Sequence, residues 1–214
     1  MNATRPSLIL IALVAMASNS AFAQSASNDF VERNINQQQR IEQGLQSGQL
    51  NTREAARLET QESKVESMEA RALRNGNVSQ NEARRIDQAQ DRLSRNIYQE
   101  KHDAQIGNPN SASSQRMQQD VQRSINQQQR IGQGLQSGSL TPREAGRLEH
   151  SQARINRMEG RAGADGHVGR GEQQRIQHAE NRQSQRIHHE KRDGQRAQGG
   201  NSQHGGGRQH LARR

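Results

Sequence analysis

Two potential metal ligands flank one glycine in the second half of the chain, and a third follows it. Asp165 precedes Gly166 directly, His167 follows it, and Glu172 comes six positions after the glycine. Carboxylate oxygens and imidazole nitrogens are common ligands of divalent metals. The spacing allows a metal site at Asp165, His167 and Glu172, and ordinary helix capping by these residues is the alternative. Any binding is expected to be weak, because Arg161 stands where a further oxygen ligand would be needed.

A second candidate lies on the last predicted helix. His189 and Asp193 are four residues apart, about one helical turn, so both side chains can contact the same metal ion. No third ligand at a suitable spacing completes that site, and the sequence has no HExxH pattern. Solvated side chains on a basic helix face are the alternative. We expect no cofactor other than a weakly bound divalent metal.

Residues 195–214 form a basic segment. Arg196, Arg208, Arg213 and Arg214 have no acidic neighbour after Asp193, and the whole chain carries 31 Lys and Arg against 22 Asp and Glu. A cationic tail without apolar periodicity is expected to be disordered and can condense on polyanions. We therefore expect envelope polyanions or an anionic lipid surface as partners, with a purely solubilising tail as the alternative. Specific nucleic-acid binding is not expected, because stacking aromatics are missing.

The composition argues against catalysis. Hydrophobic residues make up 28% of the chain and aromatic residues 1%, so a water-excluding pocket that perturbs pKa values is hard to build. The serines, histidines and carboxylates are expected on exposed polar helix faces or in turns. The sequence therefore predicts a protein that is not an enzyme.

The N-terminal residues predict the compartment. Arg5 precedes an apolar run, and Ala21-Phe22-Ala23 has the small-x-small pattern that signal peptidase cuts after. The run is shorter than the roughly 20 residues that a membrane span needs. We predict a signal peptide over residues 1–23, cleavage between Ala23 and Gln24, and a periplasmic or secreted mature chain. An uncleaved anchor is the alternative.

The rest of the chain contains an internal repeat. Residues 31–103 align with residues 121–193 at a constant offset of about 90 residues and without a gap. The run from Ile35 to Ile41, for example, recurs unchanged from Ile125 to Ile131. The alignment predicts a helical module at 24–104, a linker at 105–118, a second helical module at 119–194 and a disordered basic tail at 195–214.

Each copy contains two turns of one kind. A glycine can end a helix in the left-handed conformation, and a following Asn, Ser or Thr can cap the next helix with a Glu three residues later. The four glycines are Gly48, Gly76, Gly138 and Gly166. These turns predict about three helices in each module.

Apolar residues draw narrow stripes on the predicted helices. Ile86, Ala89, Leu93 and Ile97 recur at spacings of three and four, as on one face of a helix. Such stripes predict an all-α fold, either a slender bundle or coiled-coil-like hairpins. The second copy has Gln183 in place of Leu93 and three additional helical glycines, which predicts looser packing there.

The turns resemble the second half of an EF-hand loop, with a glycine, a branched apolar residue two positions later and a glutamate six positions later. The matching sets are Gly48, Leu50 and Glu54; Gly76, Val78 and Glu82; Gly138, Leu140 and Glu144; and Gly166, Val168 and Glu172. The resemblance implies helix–loop–helix units able to bind calcium. Gln43, Leu45 and Ser47 occupy the ligand positions of the first turn, so weak binding is expected.

The segments Leu50–Glu54 and Leu140–Glu144 also resemble the motif of periplasmic LTxxQ-type helical stress proteins, with Glu in place of Gln. That resemblance implies an exported chaperone-like or metal-responsive role. The leading expectation is a non-enzymatic exported protein that acts in binding or stress protection. The alternative is a weak metal-binding or metal-buffering protein that uses the EF-hand-like turns and the C-terminal histidines. Self-association through the helices is a further expectation.

Overall fold

The protein folds into six α-helices in a computed structural model that describes the backbone of residues 10–200 and the side chains of residues 22–193. The helices are α1 Leu10–Ser47, α2 Thr52–Ala72, α3 Gln80–Lys101, α4 Ala112–Gln136, α5 Pro142–Ala162 and α6 Arg170–Gly200. One 3-10 turn, Leu73–Asn75, extends α2. The predicted all-α class is confirmed, and residues 10–200 contain no strand.

The four glycine turns adopt the expected conformation. Gly48, Gly76, Gly138 and Gly166 have φ values of 77°, 79°, 70° and 88°, in the left-handed region that glycine enters without steric cost. Complete capping boxes follow the first three glycines, with the N-cap residue and its glutamate exchanging hydrogen bonds. At the fourth turn, the Gly169 N–H donates to Glu172 Oε2 at 2.9 Å. The glutamates after all four glycines therefore stabilise helix starts.

Two helix ends differ from the sequence boundaries. Helix α4 begins at Ala112, inside the segment 105–118 expected as a linker, because the Ser111 hydroxyl caps it by accepting the Ser114 N–H at 3.1 Å. Helix α6 continues to Gly200, past the module boundary expected at residue 194. The remaining part of the expected tail, residues 201–214, lies outside the described residues, as do residues 1–9.

The two sequence copies pack into one bundle. Helices α2 and α5 make the most extensive contact, α1 packs along α4, and α3 and α6 each pack on helices of their own copy. Contacts between the copies recur with the roles exchanged: Arg53 Nη2 donates to the Asp165 carbonyl at 2.8 Å, and Arg143 Nη2 donates to the Asn75 carbonyl at 3.0 Å. An approximate twofold axis therefore passes between α2 and α5.

Glycines allow the close approach of these two central helices. A Cβ atom on Gly160 would lie 2.8 Å from the Ala56 carbonyl oxygen, and one on Gly163 would lie 2.8 Å from Ala56 Cβ. A Cβ atom on Gly146 would lie 2.7 Å from Leu73 Cβ. These glycines, expected to loosen the second copy, are thus sites of tight helix packing.

The predicted apolar stripes form the core. Ile86, Leu93 and Ile97 are buried, and so is Leu58 on α2. Gln183, which replaces Leu93 in the second copy, is also buried, and its amide donates to the Leu148 carbonyl at 3.0 Å. Among the described residues, no helix is both long enough and apolar enough to cross a membrane.

Candidate functional site

The predicted ligands of the fourth turn each make local contacts. Asp165 Oδ1 accepts the His167 N–H at 2.8 Å, and Glu172 Oε2 accepts the Gly169 N–H. His167 Nδ1 lies 2.9 Å from the Ser113 hydroxyl, on the first turn of α4. The carboxylates of Asp165 and Glu172 therefore serve the turn and the helix start.

The structure does not bring the five predicted metal ligands together. His189 and Asp193 are exposed on α6, away from the fourth turn in sequence. Within the described part of the chain, three potential ligand atoms lie within 4.8 Å of one another only at Glu54, Glu100 and Asp103. The carboxylates thus converge at the first turn rather than the fourth.

Glu54 is the centre of this first-turn cluster. Its Oε2 accepts the Asn51 N–H at 2.9 Å, while its Oε1 is buried without a hydrogen-bond donor. Glu100 lies near the end of α3, and Asp103 follows that helix. Burial, and then the negative charges of Asp103 and Glu100, raise the pKa of Glu54. A cation at this position would relieve that repulsion.

The predicted polyanion-binding arginines fall at the edge of the described region or outside it. The backbone of Arg196 belongs to α6, but its side chain is not described. Arg208, Arg213 and Arg214 lie outside the described residues.

The centre of the bundle contains a layer of buried carboxyl groups, which we did not predict from the sequence. On α2, Glu59, Glu62, Glu66 and Glu69 recur at spacings of three and four, so they share one helix face. All four are 0% exposed. We use the name carboxylate layer for these four residues together with the equally buried Glu149 and Glu159 of α5.

Neutral amide and hydroxyl groups, rather than cations, hydrogen-bond to the carboxylate layer. The hydrogen bonds, with the donor residue named first, are Asn34 to Glu69 at 2.8 Å, Gln38 to Glu59 at 2.9 Å, Gln90 to Glu69 at 3.0 Å, Gln128 to Glu66 at 2.8 Å, Gln128 to Glu149 at 3.0 Å, Asn156 to Glu66 at 2.9 Å, and Ser124 to Glu159 at 3.1 Å. The donors come from α1, α3, α4 and α5. The layer therefore connects helices from both copies.

Glu62 has the least hydrogen bonding in the layer. Neither of its carboxyl oxygens has a hydrogen-bond partner, and the side chain is fully buried. Burial raises its pKa well above the ordinary value, and the charges of Glu69 and Glu59 raise it further. Ionisation of a group in such a place costs several kcal/mol, so burial favours the neutral form of Glu62.

The same physical cause acts on the rest of the layer. Burial is the largest factor that raises the pKa of Glu59, Glu66, Glu69, Glu149 and Glu159. One carboxyl oxygen each of Glu59, Glu149 and Glu159 has no hydrogen-bond donor. Protonation of part of the layer supplies O–H donors, because a neutral carboxyl group both donates and accepts.

Acidic groups around the layer behave similarly. Burial raises the pKa of Glu42 on α1 and of Asp120 on α4 to about 7, and that of Glu180 on α6 to about 8. The cations nearby are few: Arg123 Nε lies 3.0 Å from Glu180 Oε2, and the Arg33 charge lowers the pKa of Glu69. Burial therefore favours protonated carboxyl groups in the interior at pH values where exposed carboxylates are ionised.

The expectation that the carboxylates lie on exposed polar faces is wrong for this layer. The bundle has too few large apolar side chains to fill its centre, so glutamates and amides occupy it. One sequence signal was available. No residue four positions before or after Glu59, Glu62, Glu66 or Glu69 is Lys or Arg, whereas exposed helical glutamates are often stabilised by such pairs.

No protein-family model, curated protein or solved structure matches the chain.

Proposed function

We propose that this chain is a non-enzymatic exported helical protein that acts in binding or stress protection, and that the relevant stress is acid. After cleavage between Ala23 and Gln24 it would work in the periplasm or be secreted. The signal-like N-terminus supports export, and the likeness to LTxxQ-type stress proteins supports a protective role.

The carboxylate layer is the observation that supports a role in acid stress. Six fully buried carboxyl groups share the middle of the bundle with amide and hydroxyl donors. A buried carboxyl group with a raised pKa takes up a proton on folding, so acid favours the folded state. Many proteins lose stability in acid because paired carboxylates must be protonated there. In this bundle the central carboxyl groups are buried without paired cations, so their protonation should stabilise the folded state.

Deletion of the gene in the source organism tests the proposal. We expect deletion to lower survival after a shift to about pH 5 and to have little effect at neutral pH. Complementation with the full chain should restore survival, whereas a chain without residues 1–23 should not, because it stays inside the cell. Equal survival of the deletion strain and the parent in acid would contradict the acid role, and rescue by the leaderless chain would contradict the export role.

A weak metal-binding or metal-buffering protein is the second candidate, and the first-turn cluster favours it. Glu54 offers a buried oxygen without a donor, next to Glu100 and Asp103. Calcium takes six to eight oxygen ligands, so water would have to complete the coordination and the affinity would be low. This candidate moves the predicted metal from Asp165, His167 and Glu172 to the first EF-hand-like turn.

The partner proposal rests on charge. Arg196, Arg208, Arg213 and Arg214 would bind an envelope polyanion or anionic lipid through screened, long-range attraction. Removal of residues 195–214 should weaken that binding most at low salt.

A further inference from the structure

A basic groove lies where the end of α2 meets the start of α5. Its volume is about 430 Å³, within the range of small-molecule sites. One wall carries Arg71 on α2 and Arg74 on the 3-10 turn that follows it, and the other carries Arg143, Arg147 and His150 on α5. The small residues Ala70 and Gly146 also line the groove.

No acidic residue lines this groove. The ion pairs found among the described side chains involve Arg33 and Arg123, so the four groove arginines have no carboxylate within salt-bridge distance. Of the glutamates close to these arginines in sequence, Glu69 and Glu149 are buried in the carboxylate layer, and Glu144 accepts the Thr141 N–H at 2.8 Å at the start of α5. Four positive charges therefore face one space without a counterion from the described protein.

The spacing of the arginines is unfavourable without a ligand. Arg71 and Arg74 are three residues apart, and Arg143 and Arg147 are four residues apart, so each pair lies on one helix face. Like charges at these spacings destabilise a helix. An anion between the walls would reverse the sign of this contribution.

We propose that this arginine groove, formed by Arg71, Arg74, Arg143, Arg147 and His150, is a binding site for a phosphate-bearing anion that reaches both helices. The planar guanidinium group forms paired hydrogen bonds with phosphate oxygens, and its charge strengthens each bond. A ligand with two or more phosphate groups can contact α2 and α5 at once. The source is either a free polyphosphate or the phosphate headgroup of a lipid.

This site extends the polyanion part of the proposed function from the tail to the folded bundle. It depends neither on the tail arginines nor on the acid response of the carboxylate layer. A chain without residues 195–214 therefore retains the groove, and binding by that chain separates the two proposals.

The approximate twofold axis provides a matched control. On the opposite side of the α2–α5 pair, Arg161 and Arg57 occupy the positions equivalent to Arg71 and Arg147. There Ala164 replaces Arg74 and Thr60 replaces His150, so the opposite side has one arginine fewer and no histidine. All four of the matched arginines are exposed, and their side chains make no hydrogen bond within the described structure. Their substitution should leave the fold intact.

The test compares two double variants with equal loss of charge, Arg71→Gln/Arg147→Gln in the groove and Arg57→Gln/Arg161→Gln on the opposite side. Binding of inorganic tripolyphosphate is measured by isothermal titration calorimetry, and binding of vesicles that contain phosphatidylglycerol is measured by co-sedimentation. Circular dichroism checks the fold of each variant. We expect the groove variant to weaken binding by roughly tenfold or more, from the loss of charge-assisted hydrogen bonds, and the opposite variant to weaken it much less.

The outcomes decide both the site and the source. Tripolyphosphate binding that needs the groove arginines identifies a soluble polyphosphate ligand, and vesicle binding with the same dependence identifies a lipid headgroup. Equal losses in the two variants would show that net charge alone drives binding, which overturns the proposal. Binding that disappears only when residues 195–214 are removed overturns the groove and leaves the tail proposal standing. Failure to bind either probe overturns both.

Discussion

Asn156 donates its amide to Glu66 Oε2 at 2.9 Å, and the two residues occupy equivalent positions in the two sequence copies. A residue and its own equivalent can meet only close to the axis that relates the copies. The contact therefore places the twofold axis through the carboxylate layer. The two copies differ there, so the pair at the axis is a carboxyl group hydrogen-bonded to an amide and not two carboxyl groups in contact.

The first prediction concerns the pH dependence of stability. The pKa values of the six layer residues are raised above 4.5 in the folded state, so the folded protein binds more protons than the unfolded chain above that pH. The free energy of unfolding must then fall as pH rises. Two groups shifted by one pKa unit each would account for about 3 kcal/mol. Urea denaturation at pH 4.5, 6 and 8 should show a loss of at least that size.

Stability that rises with pH over this range would contradict the prediction, because it would mean that the layer is ionised and paired in the folded state. The half-buried Glu82 has the opposite effect on the pH dependence of stability, since its hydrogen bonds with Ser79 lower its pKa. Its contribution is present at neutral pH and is lost as pH falls below the unfolded value near 4.5. The transition to be measured therefore lies above pH 4.5, where the capping glutamate is already ionised.

The second prediction is that Glu62→Gln stabilises the protein at pH 8. Glutamine has nearly the same shape, carries no charge, and can donate to neighbouring oxygens that lack a donor. The equivalent residue in the second copy is Gln152, whose amide donates to Ser124 and Asn156. We expect a gain of about 1–3 kcal/mol at pH 8 and little change at pH 4.5, where Glu62 is already neutral.

The matched control for this variant is Glu32→Gln. Glu32 is exposed on α1, so the substitution removes one carboxyl group from the protein without removing the cost of burying it. We expect a change within about 0.5 kcal/mol at both pH values. If both variants stabilise equally, the gain comes from net charge and not from the buried layer.

The sequence predicted the helices far better than the way they pack. The left-handed glycines and capping boxes depend on residues a few positions apart, so Gly48 and Asn51 predict their turn without information on tertiary contacts. The burial of Glu62 depends instead on α5 approaching within contact distance, which Gly160 and Gly163 permit. A glycine in a helix predicts a loss of helix propensity, and only the facing helix shows what the missing side chain allows. The arginine groove could not be predicted from the sequence for the same reason, since Arg71 and Arg147 are 76 positions apart (147 − 71) and meet only in the folded bundle.

The third prediction concerns that helix approach. A Cβ atom on Gly160 would lie 2.8 Å from the backbone oxygen of Ala56, which cannot rotate away. We expect Gly160→Ala to destabilise the protein by about 1–3 kcal/mol, as overpacking does, despite the better helix propensity of alanine. Gly171 is the control, because a Cβ atom there meets nothing within 4 Å. Gly171→Ala should be neutral or stabilising by up to about 1 kcal/mol. Thermal unfolding followed by circular dichroism compares the two, and equal effects would contradict close packing at Gly160.

The last prediction distinguishes the first-turn cluster from the predicted C-terminal ligands. The residues equivalent to Glu54, Glu100 and Asp103 in the second copy are Glu144, Glu190 and Asp193, so the sequence preserves all three carboxylates. Among the described residues only the first set converges.

We expect calcium to bind with a dissociation constant of about 10⁻⁴ to 10⁻³ M, because three carboxylates leave much of the coordination shell to water. Isothermal titration calorimetry should show binding lost in Glu100→Gln/Asp103→Asn and retained in Glu190→Gln/Asp193→Asn. The reverse pattern would favour a site that includes Asp193 and His189. Three carboxylates completed by water should not reach the affinity of a complete EF-hand. A dissociation constant below about 1 μM would therefore show a more complete metal site and make metal binding the leading function.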